Sequence, residues 1–246
     1  MIKLLSCEFK KFKGTYINSL SFLGMLFPVI LTFIVFLIKK GDFIKNDYFN
    51  WDYFNRQLTM FFVFFVGPII TSFIGVFSVY YEYQERTIKN VLMAPYGRVP
   101  VILAKIVYVS LFVILQYVAV AASNILSALV LGFDVTGEKA AEYTLQLLMA
   151  GLSTVMLIPL MMLITLMFKG FIAPMIAAVA GTLSNVLALN WEKSYFSPFA
   201  IPADISFIIT EQVPMKMEYP VISACSYFAV FMVITLVYFK RADQNV

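Results

Sequence analysis

The sequence predicts an all-α membrane protein with six transmembrane helices, and three observations carry that expectation. Of 246 residues, 61% are hydrophobic and only 13% are charged, a balance outside that of ordinary soluble domains. Six long runs contain no Asp, Glu, Lys or Arg, and each approaches the roughly 20 apolar residues that a hydrocarbon layer about 30 Å thick demands. The segments between them are short, which leaves no room for a separate soluble catalytic domain and makes residues 1–246 one membrane domain.

The first element is an amphipathic helix over residues 1–16. Ile2, Leu5, Phe9, Phe12 and Tyr16 recur at steps of three and four, while Lys3, Lys10 and Lys13 fall off that stripe. Such a helix is expected to lie in the membrane interface with its lysines near anionic lipid head groups. Spans are expected at 17–38, 58–80, 101–131, 145–168, 170–189 and 220–239. The first is longer than a signal-peptide core and lacks an A-x-A-like cleavage site, so it should remain attached. With the N-terminus inside, 11 of the 18 Lys and Arg residues fall on the inner side and 10 of the 14 acids on the outer. Retention of positive residues then places both termini in the cytoplasm.

The first outer loop, 39–56, carries Phe43, Tyr48, Phe49, Trp51, Tyr53 and Phe54 and is expected at head-group level. The second, near 134–142, is acidic and featureless. Between the fifth and sixth spans the chain is interrupted by Pro198, Pro202 and Pro214, and the apolar stretch around Asp204 is too short to cross. Ile205, Phe207, Ile208 and Ile209 would be costly to leave in water. A re-entrant or interfacial helix on the outer side, acting as an outer gate, is expected there; a loop lying flat on the membrane is the alternative.

Within the spans, Gly67, Thr71 and Gly75, and again Ala173, Ala177 and Gly181, recur every four residues and predict close helix contacts. Pro28, Pro68, Pro159 and Pro174 predict kinks. Phe61, Phe62, Phe64 and Phe65 read as lipid-facing packing, or else as the wall of a path suited to amphipathic molecules. There is no histidine, and the two cysteines, Cys7 and Cys225, fall near opposite faces. A disulfide is excluded, no metal set is formed, and both read as small apolar fillers.

The cytoplasmic connection between the second and third spans is the most informative segment. Thr87 can cap a short helix, Val91 and Leu92 give it an apolar face, and Pro95 with Gly97 ends it. Lys105, just inside the third span, either extends its stem to the interface or pairs with Glu82 or Glu85 as an inter-helix lock. No phosphate-cradling G-x-x-x-x-G-K-[S/T] is present, so ATP hydrolysis by that route is excluded. The runs also lack the buried acids or histidines of a proton relay, and a nucleophile with its base, which argues against an ion-coupled carrier and against a membrane-embedded enzyme.

The series Glu82, Thr87, Leu92, Pro95, Arg98 and Lys105 resembles the ABC-2 type permeases. In that family a charged run, Gly-Thr, a Leu-rich pair, Pro, Ser-Arg, and Gly-Lys or Ala-Lys lead into the next span. Arg86 stands here where the glycine is usual, and Gln84 where an acid is frequent. The amphipathic first helix, the six spans and the outer segment extend the resemblance to the whole chain, and its size is most similar to compact permeases of bacitracin, lantibiotic-immunity and phenol-soluble-modulin exporters. The resemblance implies the membrane subunit of an ATP-driven exporter of amphipathic or hydrophobic substrates, peptides above all, in a bacterial plasma membrane. It implies no ATPase activity in this chain, with ATP and magnesium held by a cytoplasmic partner ATPase. A second permease copy or homologue and membrane lipids are the other implied partners, and nucleic acid is not one. Glu82, Glu85, Arg86, Thr87, Lys89, Asn90, Val91, Leu92, Pro95 and Arg98 are the implied contact with the ATPase. An ion-coupled secondary transporter is the alternative reading.

Overall fold

Lipid offers no partner to a backbone N–H or C=O, so a chain this apolar closes its hydrogen bonds within each segment. In the computed structural model, which describes residues 2–13, 15–87, 97–188, 191 and 193–241, every long regular element among those residues is helical. The order is α1 (Ile2–Lys13), α2 (Tyr16–Ile38), α3 (Lys40–Lys45), α4 (Trp51–Phe61), a π-helical segment (Phe62–Val66), α5 (Gly67–Gln84), α6 (Arg98–Leu131), α7 (Gly137–Thr154), α8 (Leu157–Phe168), α9 (Ile172–Ala188), α10 (Ile201–Ile209) and α11 (Glu218–Arg241). Five stretches are long and apolar enough to cross a membrane: α2, α4 through α5, α6, α7 through α8, and α11. The fifth expected span, α9, is apolar but has only 17 residues. The short cytoplasmic helix expected from Thr87 to Met93 lies outside the described residues.

Helix α5 runs through the centre of the bundle and packs against α2, α6, α7, α8 and α9. Its approach to α6 depends on missing side chains. Tyr117 of α6 is fully buried, its ring 5.0 Å from Phe62 and its hydroxyl accepting from Thr154 Oγ1 at 3.0 Å. Gly67 and Gly151 both face that tyrosine, and a Cβ on Gly151 would stand 2.7 Å from Tyr117 Cγ. Gly75 faces Ile158 and Met161 of α8, and Gly181 takes the ring of Phe199, so these glycines of the two expected small-residue seams sit at close contacts.

The prolines behave differently from one another. Pro28 sits inside an unbroken helix, and Pro174 sits in the first turn of α9, where a missing N–H removes no bond. Pro159 follows the break between α7 and α8, and the Val155 carbonyl left without its usual donor accepts from Ile158 N at 3.1 Å. Pro68 follows the π-helical segment and leaves the carbonyl of Phe64 unfilled from its own helix. Asn185 of α9 donates to that oxygen at 3.2 Å.

Three expectations need correction. Trp51 and Phe54 are buried beneath the outer loop rather than spread at head-group level, because Phe43, Phe49, Tyr53 and Phe54 all gather around Phe36. Phe62 and Phe64 face inward, against Tyr117 and Phe207, while Phe61 is exposed and Phe65 half-buried. Cys7 and Cys225 point outward rather than filling the interior.

Overpacking at the Tyr117 contact costs about 1–3 kcal/mol. Gly151→Ala is therefore expected to lower the apparent melting temperature of the detergent-purified protein, whereas Gly41→Ala, which meets nothing within 4 Å, leaves it unchanged or slightly higher; thermal scans of the two variants side by side check this.

Candidate functional site

The ends of α1, α5 and α6 expected to face the cytoplasm meet around one ammonium group. Lys105 lies two turns into α6 and is 2% exposed, yet every proton it carries has an acceptor. Its Nζ lies 2.6 Å from Glu82 Oε1 of α5, 3.0 Å from both carboxylate oxygens of Glu8 of α1, and 3.3 Å from the carbonyl of Ser78. Glu82 Oε1 also accepts from Lys11 of α1 at 2.6 Å. Two acids and two bases thus close a neutral cluster, with Glu8 8% and Glu82 2% exposed.

Aromatic contacts hold the three helices in the register this cluster needs. The Phe12 ring stacks on Tyr108 of α6 at 4.9 Å and meets Phe77 of α5 edge-on at 6.0 Å. At the end of α1 the carbonyl of Phe12 accepts from Thr15 N, Thr15 Oγ1 and Asn18 Nδ2, so the turn into α2 is closed within the protein. Lys105 therefore pairs with Glu82 and not with Glu85, which sits exposed at the end of α5. The stem of Lys105 does not reach to an interface.

The residues expected at the coupling contact divide into four groups. Glu82 is buried and faces the bundle, so it offers no surface to a partner. Glu85, Arg86 and Thr87 close α5. Arg86 N donates to Tyr83 O at 3.2 Å and Thr87 N to Glu82 O at 3.0 Å, with Arg86 in the left-handed conformation at φ 53°. That is the glycine-type helix ending, and the family pattern's usual glycine falls on this residue. Arg98 opens α6 and donates to the carbonyl of Lys240 at 3.1 Å. Lys89, Asn90, Val91, Leu92 and Pro95 lie outside the described residues.

The opposite end of the bundle, expected to face outward, holds a second polar system. Trp51 Nε1 donates to Asn124 Oδ1 (3.1 Å), Asn124 Nδ2 to Asn55 Oδ1 (2.7 Å), Asn55 Nδ2 to Gln146 Oε1 (2.8 Å) and Gln146 Nε2 to the carbonyl of Ser206 (3.2 Å). This ladder ties α4, α6 and α7 to α10. Of the residues expected as an outer gate, Ile205 and Phe207 of α10 are buried, and Ile208 and Ile209 are half-buried. Phe207 packs on Phe64 of the π-helical segment at 5.4 Å. The stretch 201–209 is therefore packed into the bundle and is no loop lying over it. Beside it Asp204 accepts from Ser194 at 2.8 Å, and burial raises its carboxyl to about 6.

Sequence reasoning did not single out Glu8, Lys11, Asn55, Asn124 or Gln146. Glu8 had a readable signal, since it stands three residues after Leu5 and four before Phe12, on the apolar stripe itself. Asn124 and Gln146 had another, being amides within apolar runs, which face the bundle interior. No group of three or more acids or cysteines among the described residues is placed to hold a metal ion.

A family model described as ABC-2 family transporter protein matches residues 4–185. The chain is also similar to a bacitracin transport permease protein of Bacillus licheniformis, with 24% identity over 164 residues that cover 66% of this chain and 78% of that one. The chain belongs to the ABC-2 transporter family, and it is a multi-pass membrane subunit of an ABC transporter.

Removing one partner of a buried charge cluster typically costs about 3–5 kcal/mol, because the remaining charges stay buried. Lys105→Met should sharply lower melting temperature and yield, and the triple change Glu8→Gln, Glu82→Gln, Lys105→Met should recover part of the loss; equal stability of the single variant and the parent would contradict the geometry. Arg86→Gly relieves a left-handed residue and should add about 1 kcal/mol, read as a higher melting temperature in the same assay.

Proposed function

We propose that this ABC-2 family member is the membrane-spanning half of an ATP-driven exporter that moves amphipathic or hydrophobic molecules, peptides first among them, across a bacterial plasma membrane. Both termini are cytoplasmic and the chain crosses six times, with α9 as the fifth crossing. At 17 residues and 1.5 Å per residue that helix is about 25 Å long, the lower limit for a span. A cytoplasmic ATPase holds ATP and magnesium and drives the cycle, and a second permease copy or homologue completes the path.

The observation that carries this reading is the Lys105 cluster. The segment 88–96 joins α5 to α6 on the cytoplasmic side, and Lys105 pins those two helices to each other and to α1. A push delivered to that segment would move the three inner ends as one body rather than splaying them. Binding energy from the ATPase acts through this contact because it differs between the two states of the transporter. Glu82 contributes from inside the bundle, and the contact surface is left to Glu85, Arg86, Thr87, Lys89, Asn90, Val91, Leu92, Pro95 and Arg98.

Motion of α5 has a place to be absorbed and a place to be read. The π-helical turn at Phe62–Val66 followed by Pro68 is the weakest point of the helix, and Phe64 within it touches Phe207 of α10. A shift of α5 would thereby displace α10, whose Ile205, Phe207, Ile208 and Ile209 form the outer gate. The peptide assignment rests on the bacitracin permease relative and on the aromatic lining of this region.

In a reconstituted complex of the permease with its ATPase, Val91→Asp and Leu92→Asp should abolish substrate-stimulated ATP hydrolysis or assembly, at least about tenfold for the loss of one apolar anchor of about 1.4 kcal/mol or more. Unaltered assembly with unaltered stimulation would overturn the coupling role of this segment, and survival of cells exposed to bacitracin with and without the complex tests the substrate class.

A further inference from the structure

A cavity of about 680 Å³ opens beside α10, walled by the end of α9, Trp191, Lys193, Ser194 and Tyr195, α10 and the approach to α11. It has the size of a small-molecule site, and most of its wall follows residue 185, where the family match ends. Three features point to one ligand chemistry. Asn185 is fully buried and lines the cavity; its amide nitrogen is committed to the Phe64 carbonyl, so its Oδ1 is fixed as an acceptor, and that oxygen has no partner. Such a group costs free energy until an N–H or O–H reaches it.

The second feature is a pair of ammonium groups. Lys193 and Lys216 both line the cavity, and neither forms an ion pair with another described residue. The described acid in the wall, Asp204, is engaged by Ser194. The third feature is an aromatic face. Tyr195 stacks on Tyr219 at 5.5 Å, and Trp191, 53% exposed, stands at the opening. Aromatic rings of this kind settle at the level where lipid head groups meet hydrocarbon.

We propose that this cavity is a binding site for the head group of an acidic phospholipid, with its phosphate between Lys193 and Lys216 and a head-group hydroxyl donating to Asn185 Oδ1. A phosphate alone would satisfy the lysines but would leave the aromatic wall uncovered, and a choline head group would supply no donor to the amide. The outer leaflet as the source rests on the topology given above; the binding itself does not, since it is read on the permease without the ATPase and without export.

The chain has two tryptophans, of which Trp51 is buried, so Trp191 reports on the site. The full-length protein, purified in a maltoside detergent, is titrated with dihexanoyl phosphatidylglycerol, with dihexanoyl phosphatidylcholine and with inorganic phosphate while tryptophan fluorescence is followed. Phosphatidylglycerol should give a saturable change that Trp191→Phe removes. Phosphatidylcholine should bind at least about tenfold more weakly, as should phosphatidylglycerol to the Lys193→Gln, Lys216→Gln double variant, given about 1 kcal/mol per lysine at a lipid surface. Asn185→Leu should also weaken binding; because it removes the cap on Phe64, the exposed lysine pair is the variant that keeps the fold intact. Equal binding of the two lipids, or unchanged binding by the double lysine variant, would overturn the proposal. Saturation by inorganic phosphate as tight as by phosphatidylglycerol would overturn the lipid assignment in favour of a free-anion site.

Discussion

The end of the bundle where α1, α5 and α6 meet depends on the Lys105 ammonium. Taking it out of water costs several kcal/mol, and the cost is offset only because three acceptors from two other helices converge on it: Glu8, Glu82 and the Ser78 carbonyl. Each helix therefore needs the others in place. Without α1, Lys105 and Glu82 lose Glu8 and Lys11 together, which makes the amphipathic first helix part of the bundle's electrostatic closure as well as a stretch with an apolar face.

A related constraint governs the opposite end. A polar group in the bundle must find its partner in the protein, and breaks in helices create polar groups. Pro68 and the π-helical turn free a carbonyl, and Asn185 crosses from α9 to meet it. Four side chains then pass hydrogen bonds from Trp51 to the Ser206 carbonyl and hold α10 in place. The segment that carries the expected gate is thus held by amides on one side and by Phe64 on the other.

Much of this was legible in the residues, for definable reasons. Long apolar runs report helices crossing lipid because length and hydropathy are local properties, and five of the six expected runs are helices of sufficient length, with α9 falling short. The Lys105 to Glu82 pair was readable as one of two choices because both residues flank the same short connection. Glu8 was not singled out, since its partner lies 97 positions away and no local pattern names a long-range acceptor. The inward turn of Phe62 and Phe64 was hidden for another reason: a π-helical insertion shifts the phase of every later side chain, and a period of 3.6 residues cannot register the extra one. Arg86 shows the converse: it departs from the family's usual glycine in type, yet the backbone keeps the left-handed ending and places arginine in it.

The cluster around Lys105 has one more property. It holds two acids and two bases, and a proton passed between them would leave their sum unchanged. A single charge carried through the membrane field exchanges about 2.3 kcal/mol per 100 mV, so a body that moved with an unpaired lysine would have its cycle biased by the cell's resting voltage. The cluster itself adds no net charge to that body, and Lys3 and Lys10 of α1 are exposed outside it. In the cycle proposed above, displacement of the cluster would then exchange no energy with the membrane field to first order.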